Sequence, residues 1–395
     1  MLRPTWPLFL LLVLLGCEAD GTDDAGAVDG GSDAGGAVDA HVPLPRPAAD
    51  YFEEGPFPVG NVRVSLTDAA RSRTLPVEIW YPADASARAD ANAGQPIAAF
   101  EREDPRDDAF AALLADAPDC VRTQTRAADA PDPESSGDRW PLVVFSHCHV
   151  CTRFDVASVA ERLAGFGIAV AAPDHEENTL WDELDGDAAA VGSEFLEVRV
   201  GDVSFVLDRL LAGDDALPTE LRARFDAARV GVMGHSFGAA TAGIAAARDD
   251  RILAGLAMAA PLTALGGGAR INTIDTPFLF LVAKEDNSIG EAGNGLIRSE
   301  HRRIGSDSLL VEVADAGHWS FSDYPGLTDF FAAGCGMGER QTDGEAFTYV
   351  DPDTAREIAG DVAVAWFAQH LLADPGGSTP ILEGHPSGLV EASLN

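Results

Sequence analysis

The chain has 395 residues, 46% of them apolar, and carries 64 acidic against 27 basic side chains for a formal charge of −37. That apolar fraction excludes a wholly disordered protein, and the length accommodates one large α/β domain or two average ones. The charge argues against nucleic acid as a partner and against electrostatic docking on anionic lipid headgroups, since both need a basic surface.

Residues 1–17 read as an export signal. Arg3 supplies the positive start, residues 8–15 form an unbroken apolar run too short to span a bilayer, and Leu14-Leu15-Gly16-Cys17 follows. The last four residues resemble the bacterial lipobox, which implies cleavage after residue 16, acylation of Cys17 and a lipid anchor outside the cytoplasm. Residues 17–50 are Ala, Gly and Asp with little else, including eight acidic side chains and Arg46. Such a composition buries nothing and forms a solvated tether with a mean reach of about 30 Å.

Two alternating stretches, 61–66 and 76–80, predict an opening β-hairpin. Residues 83–139 are rich in Asp, Ala and Pro with one apolar patch at 110–114, and predict a surface excursion suited to form part of a lid. From residue 141 strands alternate with helices. Strands are predicted at 142–145, 168–172, 230–233, 253–259, 278–282 and 309–313, and helices at 156–163, 194–211, 239–247 and 354–372. On the helix over 194–211, Val203, Val206, Leu207 and Leu210 share one face. The alternation predicts an α/β fold with a mostly parallel sheet covered on both faces. The folded domain is expected over 51–373, with a polar tail at 374–395.

Gly234-His235-Ser236-Phe237-Gly238 joins the strand at 230–233 to a helix of small residues. A strand-to-helix turn this tight strains the backbone of its central residue and admits only small neighbours two positions away. Ser236 is therefore the candidate nucleophile. A serine needs a base, and the base an orienting carboxylate. Four histidines lie downstream: His301 on a helix, His370 on the closing helix, His385 in the tail, and His318 just after the last predicted strand. Ligands bind where strands end, so His318 is the candidate base. Asp286, just after the preceding strand, is the candidate acid, with its neighbour Glu285 and the later Asp315 as alternatives. Two backbone N–H groups are needed to hold a developing oxyanion. One is that of Phe237; the other comes from the loop after 142–145, from Cys148 or His149.

Beyond Cys17, four cysteines remain: Cys120, Cys148, Cys151 and Cys335. In an exported chain they predict two disulfides with three possible pairings. The dense run His147-Cys148-His149-Val150-Cys151 also offers zinc-ligand atoms, but it does not complete His-x-His-x-Asp-His, and the chain has no His-Glu-x-x-His. No metal or organic cofactor is expected.

With these residues in hand, the chain resembles the α/β-hydrolase superfamily, and within it the branch of platelet-activating-factor acetylhydrolase-like proteins and predicted dienelactone hydrolases. The resemblance covers about residues 55–372 and rests on Gly55-Pro56-Phe57-Pro58-Val59-Gly60, Glu78-Ile79-Trp80-Tyr81-Pro82-Ala83, Phe145-Ser146-His147, Ala172-Pro173-Asp174-His175, the Ser236 pentapeptide and Gly317-His318-Trp319-Ser320-Phe321. It implies Ser236, Asp286 and His318 as triad and the amides of Phe237 and His149 as oxyanion donors. One departure stands out. Where the family has Ser-His-Gly and a small-residue loop, this chain has Ser146-His147-Cys148-His149. True dienelactone hydrolases also use a cysteine nucleophile, so the family label does not dictate the substrate. The expectation is a serine esterase acting on a small-molecule or lipid-like ester through an acyl-enzyme. A polyester hydrolase with the same triad, or an idle ligand-binding lipoprotein, are the alternatives.

Overall fold

The computed structural model describes residues 50–101, 105–331 and 334–395. The expected signal, Cys17 and nearly all of the tether lie outside the described residues.

The hairpin forms as β1 (Val59–Asp68) and β2 (Arg73–Pro82), paired antiparallel from end to end. Then come α1 (Arg88–Ala93), α2 (Arg106–Ala115) and the short β3 (Ala128–Asp129). The alternating part runs β4 (Trp140–Ser146), α3 (Ala157–Gly165), β5 (Ala169–Pro173), α4 (Leu180–Asp185), α5 (Ser193–Leu211), β6 (Phe225–His235), α6 (Phe237–Ala246), β7 (Ile252–Met258), β8 (Phe278–Ala283), α7 (Gly290–His301) and β9 (Ser308–Val313). A two-stranded ribbon, β10 (Met337–Glu339) with β11 (Ala346–Thr348), precedes α8 (Pro352–Leu371), α9 (Thr379–Glu383) and β12 (Val390–Leu394).

Ten strands form one sheet in the order β12-β9-β8-β7-β6-β4-β5-β2-β1-β3. From β5 across to β9 all neighbours are parallel, and β2 and β12 join antiparallel on either side. This is the α/β-hydrolase fold. Central strands read as unbroken apolar runs because both faces are covered. In β4, Val143 and Phe145 pack among residues of α3 and α8, while Leu142 and Val144 pack among those of α5 and α6.

Two regions differ from expectation. The excursion at 83–139 is no loose cover. Phe110 is fully buried, its ring 5.5 Å from Phe154, 5.8 Å from Trp181 and 6.0 Å from Tyr324, and Ile97 and Phe100 are buried with it. The residues after 373 are no free tail, since β12 lies alongside β9 with Val390 opposite Val313. An exposed edge strand of this kind is built by backbone hydrogen bonds, so its side chains carry little apolar signal.

The cysteines pair as Cys120–Cys335 and Cys148–Cys151. The first ties the excursion to the loop before β10. The second closes a four-residue loop at the end of β4.

Candidate active site

The sheet's strand order reverses between β4 and β6. The chain leaves β4 for β5 on one side and returns to β6 on the other, which opens a crevice beyond the strand ends. Ser236 stands at that crevice, immediately after β6. Its φ of 54° and ψ of −118° lie where L-residues are strained. The strain persists because the turn is packed shut. A side chain on Gly234 would overlap the Gly238 carbonyl, and one on Gly238 would overlap that of Ser146. The Ser236 amide is anchored to the Met258 carbonyl at 2.9 Å. Its hydroxyl projects over the N-terminus of α6, where the helix dipole favours negative charge.

The structure brings the three predicted side chains together. His318 Nε2 lies 2.9 Å from Ser236 Oγ, and His318 Nδ1 lies 2.7 Å from Asp286 Oδ2. Asp286 and His318 are buried, whereas Ser236 stays partly open. The other Asp286 oxygen accepts from the amides of Ser288, at 2.9 Å, and Ile289, at 3.0 Å. A carboxylate held this way keeps the imidazole with Nδ1 protonated and Nε2 free to accept. The alternative acids are engaged elsewhere: Arg340 bridges Glu285, at 2.7 Å, and Asp315, at 2.8 Å.

Three of the other histidines are structural. His301 is buried against the Ser308 hydroxyl at 2.8 Å, His370 packs tilted against Trp366 at 4.2 Å between centroids, and His385 reaches Asp361 at 3.3 Å. His147 is fully buried. Its Nδ1–H donates to the Cys148 carbonyl at 2.7 Å, and its Nε2 accepts from the His175 amide at 2.9 Å. Burial above all holds both His147 and His175 well below the usual imidazole range. His149 is nearer the surface, its ring 6.5 Å from Phe237 and 5.9 Å from Phe330. Desolvation and nearby Arg199 lower its pKa to about 4, against the pull of its Asn178 hydrogen bond. The ligand atoms of the sequence's dense run are thus largely spoken for: both sulfurs are in a disulfide and both His147 nitrogens are bonded.

The loop that carries His149 is held from several sides. Val150 adopts a φ of 52°, unusual for a β-branched residue, inside the Cys148–Cys151 ring. Among the described residues, neither the Phe237 amide nor the His149 amide donates to a protein acceptor. Beside Ser236, the His235 ring bonds the His318 carbonyl through Nε2 at 2.9 Å and turns Nδ1 to Asp155 at 3.5 Å. Trp319 covers His318 at 4.9 Å between centroids, and the half-exposed Phe330 lies against Trp319 at 5.5 Å. Asn178, Asp155, Arg199 and Phe330 were not singled out in the sequence. Only Arg199 leaves a local signal there, a charge four residues before Val203 on an apolar helix face.

Fold and site together define an α/β-hydrolase with a strained serine elbow backed by a histidine and an aspartate. The Dienelactone hydrolase family profile matches residues 127–347, more than half of the chain. The chain belongs to that family. A second profile, Platelet-activating factor acetylhydrolase, isoform II, matches residues 51–182. Among curated relatives, the platelet-activating factor acetylhydrolase of Gallus gallus is 22% identical over 278 residues, covering 60% of this chain and 63% of the relative. A probable 1-alkyl-2-acetylglycerophosphocholine esterase of Arthroderma benhamiae is 28% identical over 217 residues, covering 50% of this chain and 52% of the relative. The chain thus spans between half and two-thirds of the length of these relatives. Among solved structures, a ferulic acid esterase from Streptomyces cinnamoneus aligns with a TM-score of 0.64 at 24% identity, over 86% of this chain and 96% of that one. At that identity the likeness is one of fold.

Proposed function

We propose that this protein is a carboxylic ester hydrolase working through an acyl-enzyme on Ser236. His318 Nε2 takes the Ser236 proton as the oxygen attacks the ester carbonyl, and Asp286 steadies the imidazolium. The amides of Phe237 and His149 hold the oxyanion. His318 returns the proton to the departing alcohol. Water, deprotonated by the same nitrogen, then attacks the acyl-enzyme carbonyl and frees the acid and Ser236.

The observation that carries this reading is the hydrogen-bonded line from Asp286 through His318 to a strained, partly open serine. The relatives' names support an ester of small-molecule or lipid type, with a short acyl group on a glycerophospholipid as the first substrate to try. The lipobox-like Cys17 supports a lipid-anchored protein of the cell envelope, held by its acyl chains despite the charge. Among the described residues no helix is long and apolar enough to cross a membrane.

A fluorophosphonate probe with peptide mapping tests the nucleophile: labelling at Ser236 is expected, and no labelling together with undiminished ester turnover in Ser236→Ala would defeat the reading. A panel of esters of graded acyl length, with a polyester film as one member, assigns the substrate class. Metabolic labelling with an alkyne fatty acid, lost in Cys17→Ser, tests the anchor.

A further inference from the structure

Arg199 is an anomaly in α5. Its guanidinium is fully buried, yet every acceptor it holds is neutral. It donates to the Asn178 amide oxygen at 2.7 Å, the Ser146 hydroxyl at 3.2 Å, the Cys148 carbonyl at 3.5 Å and, at close range, the His147 carbonyl. Its Nε has no partner. Asp202 and Asp155 act on it only through space, and desolvation outweighs them, lowering its pKa to about 9. A buried cation without a touching counter-ion is costly and persists where its field has a use.

Its position indicates that use. The guanidinium carbon sits 4.5 Å from the centre of the Phe237 ring, the residue after the nucleophile. On its other side it takes the carbonyls of the loop after β4. A trans peptide points its N–H opposite its C=O. With the Cys148 carbonyl drawn inward by Arg199 and by His147 Nδ1, the His149 N–H of the same peptide is turned the other way. Arg199 also sets the side chain of His149. It can only donate, so it fixes Asn178 with Oδ1 toward itself and Nδ2 toward His149 Nδ1, at 2.8 Å. That leaves the His149 proton on Nε2.

We propose that Arg199 is the positioning residue of the oxyanion site. It aims the His149 peptide and ring, and supplies a fixed positive field behind the place where the carbonyl oxygen becomes negative. The inference rests on the reading of Ser236 as nucleophile.

The test compares wild type, Arg199→Lys and Arg199→Met in hydrolysis of p-nitrophenyl acetate and in inhibition by phenylboronic acid, which forms a tetrahedral anion on a reactive serine. Arg199→Met is expected to lower kcat about 100-fold with KM within about threefold, and to weaken the boronate by a similar factor. Arg199→Lys, which keeps the charge but loses the fork, falls between. A folded Arg199→Met with kcat within threefold of wild type overturns the proposal, as does a loss of kcat with boronate affinity unchanged, which marks a merely structural role. Should Arg199→Met not fold, Asn178→Ala decides: a loss of kcat near tenfold at constant KM supports the proposal, and an unchanged kcat overturns it. A wild type without ester turnover defeats the underlying reading instead; an active wild type, an inert Ser236→Ala and an unimpaired Arg199→Met defeat this inference alone.

Discussion

Ser236, His318 and Asp286 form one hydrogen-bonded chain, with steps of 2.9 and 2.7 Å; Ser146, His175 and Asp202 form another, with steps of 2.9 and 3.0 Å. The two serines stand at the ends of neighbouring strands, because Ser146 ends β4 opposite Gly234 of β6, two residues before Ser236. Residue types and distances do not tell the two apart. Their surroundings do. Ser146 lies within the strand, fully buried, and its oxygen already accepts from Arg199. Ser236 lies two residues beyond Gly234, past the sheet's edge, on a strained turn with a helix N-terminus beneath it and access to solvent. Asp202 is held by Arg71 at 2.8 Å and Arg73 at 3.1 Å, so the buried chain ends in an ion cluster that ties the hairpin to α5. The same three groups stand at the mouth, where the proposed chemistry lies, and serve architecture within.

Breaking each chain should therefore have opposite readouts. The largest effect is expected in Ser236→Ala, with a loss of kcat on the order of 10⁴-fold or more and a thermal midpoint close to that of wild type, since alanine keeps the Cβ and the strained backbone and gives up only the hydroxyl's hydrogen bond. Steady-state kinetics beside calorimetry checks both halves. Next, Asp202→Ala removes the carboxylate that Arg71, Arg73 and His175 share, leaving the two arginines only Asp68 and Glu177 as carboxylate partners among the described residues, and should cost about 3 kcal/mol of unfolding free energy in urea titration. Ser146→Ala leaves the His175 nitrogen and the Arg199 fork short of a partner, and should cost about 1–3 kcal/mol. A fluorophosphonate should leave Ser146 unlabelled; labelling there would erase the distinction drawn between the two serines.

The smallest expected effect is in pH dependence. His175 is held neutral by burial and by the charges of Arg199, Arg73 and Arg71. Its folded pKa is depressed, so the unfolded chain binds a proton that the folded chain refuses as pH falls below about 6.5. The stability it contributes is complete above that pH and declines below it. Its share of the slope is at most about 1.4 kcal/mol per pH unit. Unfolding free energies between pH 7 and 5 should accordingly fall less steeply in His175→Gln than in wild type.

Much of this contrast was readable in the sequence, and the exceptions have physical causes. The candidate nucleophile turn, base and acid are legible in the sequence because each follows a strand whose apolar run is local. What sets Glu285 and Asp315 aside is not local: Arg340, approaching from a ribbon that follows both in the chain, holds the two of them. Ser146 and His175 belong to sequence motifs, but their union with Asp202 has no local signal because it joins two strand ends to a helix. The excursion at 83–139 looked like a surface segment by composition, and Phe110 is nonetheless locked into an aromatic cluster supplied by three other segments. The C-terminal strand has no apolar signature because backbone pairing, which any sequence offers, holds it to β9.

By itself, then, the sequence determined the alternation of strands and helices, the strained serine turn, and the presence of a histidine and an aspartate at strand ends. These follow from short-range patterns of burial and backbone freedom. The tertiary structure alone decided the disulfide partners, the engagement of Glu285 and Asp315 by Arg340, the orientation of the His149 loop and the burial of Arg199 without a touching counter-ion. Each of these depends on which distant segments meet, and the energy that settles it, desolvation set against a few aimed hydrogen bonds, exists only once the chain has closed around them.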